Sequence, residues 1–120
     1  MKFIFTLVVL GFFAKMGISQ TSGNQQLKYF AQVQLNTTDS NVLNEIETAL
    51  KSNPNCFVVR LDRITNGLLI VTNQLSSFDE VTMTSWFEGN DNVIQCFRIG
   101  IQGYDDHFAF DDQFCNKINQ

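Results

Sequence analysis

Between residues 28 and 104 the spacing of apolar residues switches repeatedly between a period of two and a period near 3.6. Tyr29, Ala31, Val33 and Leu35 point one way and Phe30, Gln32 and Gln34 the other, as in a strand with two unlike faces. Val42, Leu43, Ile46, Ala49 and Leu50 then recur at helical spacing, with Thr38 or Asp39 placed to cap the helix and Asn53-Pro54-Asn55 to end it. Cys56 to Asp62 alternates again, which puts Phe57, Val59 and Leu61 on one face and Cys56, Val58, Arg60 and Asp62 on the other. Asn66-Gly67 signals a hairpin, because both residues accept positive φ cheaply, and Leu68–Thr72 is the returning strand. Ser77 with Glu80, or Ser76 with Asp79, has capping-box spacing, so a second helix is expected through Val81 and Trp86 to Glu88, leaving at Gly89. Val93–Ile101 is the fourth strand, with Phe97, Ile99 and Ile101 opposed to Cys96, Arg98 and Gly100.

This order predicts an α+β, ferredoxin-like split βαβ sandwich over 28–104: a four-stranded antiparallel sheet in order 4-1-3-2 with both helices on one face. In size and element order the segment resembles heavy-metal-associated domains, a resemblance that implies the fold. That family holds its metal with a Cys-x-x-Cys loop after the first strand. The matching stretch, Leu35-Asn36-Thr37-Thr38-Asp39-Ser40, contains no sulfur, and soft metals want thiolates, so metal transport is not implied. The topology also looks like an acylphosphatase, but the same loop lacks that family's phosphate-holding arginine and glycines.

Residues 1–19 read as a signal peptide: Met1-Lys2, the twelve-residue run Phe3–Ala14, then Gly17-Ile18-Ser19 before a cleavage site at Gln20. The run is too short to span a bilayer, which takes roughly 20 residues, so no membrane span is expected after cleavage. Residues 20–27 are polar and are expected to be a flexible lead-in. Removing Lys2 and Lys15 takes the net charge from −4 to −6, a balance that repels nucleic acid. The expected location is secreted or periplasmic, where disulfides persist. Of three cysteines, Cys56 and Cys96 fall on opposite sheet edges, beyond bonding reach. Cys115 is therefore expected to bond a strand cysteine, preferably Cys96 because the loop is shorter, leaving Cys56 as the free thiol. Asn36-Thr37-Thr38 is a glycosylation sequon, meaningful only in a eukaryotic source.

Candidate chemistry is sparse, and no catalytic residue, cofactor or metal is expected. His107 and Cys115 could form a nucleophile–base pair, yet His107 is the one histidine and sits in an acidic tail, where a solvated side chain is the ordinary reading. A zinc site from His107 and the cysteines conflicts with opposite-edge placement. Asp105, Asp106, Asp111 and Asp112 could hold calcium but match no calcium loop, and Asp111-Asp112 suit a helix start. Thr37-Thr38-Asp39-Ser40 could bind an anion at a helix start, with capping favoured.

The helix-free sheet face, carrying Phe30, Gln32, Gln34, Val58, Arg60 and Arg98 together with Cys56, Cys96 and Asp62, is the expected binding surface. Residues 105–120, with Phe108, Phe110 and Phe114, are expected to fold across it, bringing Asp111 or Asp112 to Arg60 or Arg98. The expected function is non-enzymatic binding of a protein, a small ligand or another copy. The alternatives are a thiol- or metal-handling protein using the unpaired cysteine, and a protease-inhibitor or propeptide-like module, which shares the fold and compartment.

Overall fold

The computed structural model describes residues 26–119; the expected signal peptide, its expected cleavage site and nearly all of the expected lead-in lie outside them. The elements run β1 (Leu27–Leu35), α1 (Ser40–Lys51), β2 (Cys56–Asp62), β3 (Gly67–Leu75), α2 (Glu80–Ser85), β4 (Ile94–Ile101) and α3 (Phe114–Ile118). The sheet order is β2-β3-β1-β4 and all three pairings are antiparallel. This is the ferredoxin-like arrangement with β2 and β4 at the edges. Among the described residues, no helix is long and apolar enough to cross a membrane.

The period-two faces of β1, β3 and β4 meet the helices in one core. Ala31, Val33 and Leu35 of β1 and Leu68 and Ile70 of β3 pack against Leu43, Ile46 and Leu50 of α1, Met83 of α2, and Phe78 and Phe87 beside it. Asp39 caps α1, its carboxylate accepting the Asn41 N–H at 2.9 Å.

The second helix starts later than either capping box predicts. Its cap is Asp79, which accepts the Thr82 N–H at 2.9 Å, because Phe78 is drawn into the core between Tyr29 and Trp86 instead of entering the helix. It also stops earlier, at Ser85: Trp86, Phe87 and Glu88 bond to carbonyls three residues back, and both Glu88 (φ 51°) and Gly89 (φ 94°) are left-handed. That tightening puts Phe87, fully buried, against the sheet.

β2 departs from simple alternation. A bulge between Cys56 and Val58 inserts one residue against β3. Cys56 therefore turns to the helix side and packs on the core, while Phe57 is 60% exposed with the Lys28 ammonium 3.9 Å above its ring. Both assignments reverse the faces expected from strict alternation. The hairpin differs too: residues 63–66 form the turn, Asn66 alone takes positive φ (59°), and Gly67 already pairs with Asp62.

Candidate functional site

The side of the sheet away from the helices is built by the other alternation set. Phe30, Gln32 and Gln34 come from β1, opposite Val71, Leu69 and Gly67 of β3 and opposite Gly100, Arg98 and Cys96 of β4. Val58, Arg60 and Asp62 of β2 continue it to the edge. A face with a phenylalanine at its centre is unfavourable in water, and here it is not in water: Phe30 is 0% exposed and Gln32 2%.

The cover is the C-terminal segment. A tight turn reverses the chain after β4, with Tyr104 and Asp105 N–H groups on the Ile101 carbonyl and the Asp105 carboxylate accepting the Ile101 N–H at 2.7 Å. Gly103 supplies the positive φ (89°) this reversal needs. The His107 ring lies over Phe30, centroids 4.2 Å apart. The Gln32 side-chain amide donates to the Phe108 carbonyl at 2.7 Å and accepts the Phe108 N–H at 2.9 Å. Arg98 donates to the Asp106 carbonyl and stacks its guanidinium 4.0 Å from the Phe108 ring centroid. Phe110 enters the space left by the missing side chain of Gly67 and stacks on the fully buried Phe114, centroids 4.8 Å apart. Cys115 bonds Cys96 of β4, Cα atoms 5.7 Å apart.

Neither Asp111 nor Asp112 meets an arginine. Asp111 faces Lys117 at 3.9 Å and accepts the Gln113 N–H at 3.0 Å. Arg98 is taken up by a main-chain carbonyl and an aromatic face, contacts that a charge count does not reveal. Arg60 is exposed and makes no ion pair among the described residues. Gln34 does not sit free on the face: its amide donates to the Thr65 carbonyl at 2.7 Å and ties down the hairpin turn.

The remaining candidate chemistry is dispersed. Cys115 is in a disulfide, so it offers His107 no thiol, and His107 contacts Gln102 at 3.0 Å. Cys56 is the free cysteine; burial pushes its thiol up to about 11. The four tail carboxylates do not converge: among the described residues no three His, Cys, Asp or Glu side chains form a metal-sized group. In the loop before α1, Asp39 is occupied as the cap and the Thr37 hydroxyl accepts the Asp39 N–H. One cleft beside the tail, of about 290 Å³, lies between Arg60, Asp62 and Leu69 on the sheet and Phe108, Ala109 and Phe110 on the tail.

No known family matches the chain, and no curated protein matches it in sequence. Among solved structures it is similar to the apo form of the HMA domain of a copper chaperone for superoxide dismutase, with 14% identity, a TM-score of 0.49, and coverage of 78% of this chain and 86% of that one. At that level nothing of the chaperone's chemistry carries over to this chain.

Proposed function

We propose that this protein works by binding, without catalysing a reaction, in an oxidising compartment outside the cytoplasm. Its partner is met at the margin of the sheet face, along Val58 and Arg60 of β2 and in the cleft beside the tail. The observation that carries this reading is the Cys96–Cys115 bridge, which pins a covering segment onto a sheet face. Such bridges persist where thiols are not held reduced, in keeping with an exported chain. The cleft joins an exposed cation to apolar walls from Leu69 and Phe108, a combination suited to recognition. Thiol or metal handling is the weaker reading: a thiol near 11 leaves Cys56 on the order of one part in ten thousand ionised at neutral pH.

The test places a photo-cross-linking residue at Val58 or Arg60, with Thr48 on the exposed side of α1 as control, in the exported protein. Cross-links from β2 positions and none from Thr48, on a chain beginning at Gln20, support the reading. Cross-links confined to Thr48, or a turnover that depends on His107, overturn the binding part. Exported protein that still begins at Met1 overturns the processing part.

A further inference from the structure

The sheet holds the tail as a binding domain holds a peptide. Covering Phe30 requires only apolar contact, yet the face supplies much more. One side-chain amide, that of the buried Gln32, makes both hydrogen bonds that a neighbouring strand would make to a single residue, Phe108. That contact reads main chain and is indifferent to the side chain. Specificity then comes from two places spaced as an extended segment spaces alternate residues. Phe108 lies against the Arg98 guanidinium, and Phe110 fills a slot in which a Cβ on Gly67 would come within 2.4 Å of its ring. Ala109, between them, is exposed. The flanking aspartates take no part in this: the Asp105 carboxylate holds the Ile101 N–H, Asp111 faces Lys117, and Arg98 takes a main-chain carbonyl.

We propose that the sheet face is a recognition groove for an extended peptide with phenylalanines two residues apart, occupied in this structure by the chain's own residues 106–110. The proposal rests on the reading of this face as the binding surface and names the class of partner. A segment attached by a short chain competes at roughly millimolar effective concentration, and the disulfide fixes it further. A separate peptide therefore enters only when the tail is lifted. A mutation in the groove weakens tail and peptide alike and leaves their competition unchanged, so the test must disable the tail first.

The full chain carrying Phe108→Ala, Phe110→Ala, Cys96→Ser and Cys115→Ser is titrated against a fluorescein-labelled peptide, Asp-Asp-His-Phe-Ala-Phe-Asp-Asp, by fluorescence anisotropy. Saturable binding is expected, weakened at least about tenfold by adding Gln32→Ala, as befits losing a pair of hydrogen bonds to a buried groove. The wild-type chain and a peptide with both phenylalanines replaced by alanine should not bind. A folded variant that binds no peptide, or binds it equally with Gln32→Ala, overturns the groove. If the quadruple variant does not fold, Phe108→Ala/Phe110→Ala with the disulfide retained is scored by the same outcomes. Peptide failure with partner cross-links persisting at Arg60 rejects the groove and leaves the binding reading standing.

Discussion

Replacing Gly67 with alanine should dislodge the tail, and removing the Phe110 ring should cancel most of that damage. A Cβ at position 67 falls 2.4 Å from Phe110 Cγ and 2.6 and 2.7 Å from its two Cδ atoms. Carbon atoms pack at about 3.5–4.0 Å, so the ring must withdraw by roughly 1 Å. Phe114 stands behind it, centroids 4.8 Å apart, and limits that retreat. Overpacking of this kind costs about 1–3 kcal/mol. Backbone strain adds nothing, because Gly67 is not among the residues with positive φ. Phe110 is half-buried, so Phe110→Ala alone should cost about 2 kcal/mol, roughly half the loss for a fully buried ring. In the double variant the new methyl enters the space the ring vacates, and a coupling of about 1–2 kcal/mol follows. Urea unfolding of the four proteins, disulfide intact and followed by circular dichroism, gives the cycle. Costs that add to within about 0.5 kcal/mol would refute the Gly67–Phe110 contact and with it the seating of the tail.

Removing the bridge by Cys96→Ser and Cys115→Ser should lower stability by about 3 kcal/mol in urea, the loop-closure value for a cross-link of this span; an unchanged midpoint would mean that the tail is held without it. Alkylation of Cys56 in the native protein should be slow at pH 7 and accelerate about tenfold per pH unit through pH 10, because its thiol lies near 11; a plateau at pH 8–9 in a stopped-flow thiol assay would place an accessible, ordinary thiol there. Glu47 is held below the usual carboxylate range by Arg63 and Lys51. A depressed folded-state pKa gives stability that is present above the unfolded value near 4.5 and lost as pH falls through the folded one. Glu47→Gln should therefore narrow the difference between urea midpoints at pH 6 and pH 3, and an unaltered difference would exclude this carboxylate as a contributor.

What could be foreseen from residues, and what could not, follows from how far each signal reaches. Period-two and period-3.6 spacing is a property of a face over several residues, so element order, strand order and the inward set Ala31, Val33 and Leu35 of β1 were legible. The Cys96–Cys115 pair was legible because edge placement excluded Cys56–Cys96 and the shorter loop favoured Cys96 over Cys56 as the partner of Cys115. One inserted residue defeats alternation, and nothing in Cys-Phe-Val-Val announces the bulge that turns Cys56 inward and Phe57 out. Asp79 displaces the serines as cap because Phe78 gains more from the core than from a helical turn, a comparison local spacing does not contain. Gly67 misled in a more instructive way. Asn-Gly reads as a turn signal, and the turn is there, but Asn66 alone takes the left-handed conformation and the glycine serves Phe110, 43 positions away.

The same reasoning explains why a tail of this composition suffices. A sheet with helices on one side leaves its other side to water, and Phe30 makes that side costly. A third layer would normally be another helix or sheet. Here the C-terminal segment does the covering, with Phe108 and Phe110 from its irregular part and Phe114 from α3, and ordering so short a segment costs conformational entropy. Two devices offset that cost. The disulfide returns the chain to β4 and restricts the unfolded tail. Gln32 satisfies both main-chain groups of the part-buried Phe108, and Arg98 adds a bond to the exposed Asp106 carbonyl. The polar residues on this face therefore have a structural reason to be there, and it is the same reason that would let the face accept a second segment of the same pattern: both need main-chain partners at the centre and aromatic slots on either side. The shape of the surface beside the tail, at Arg60 and the cleft, is set by how firmly Phe108 and Phe110 are seated.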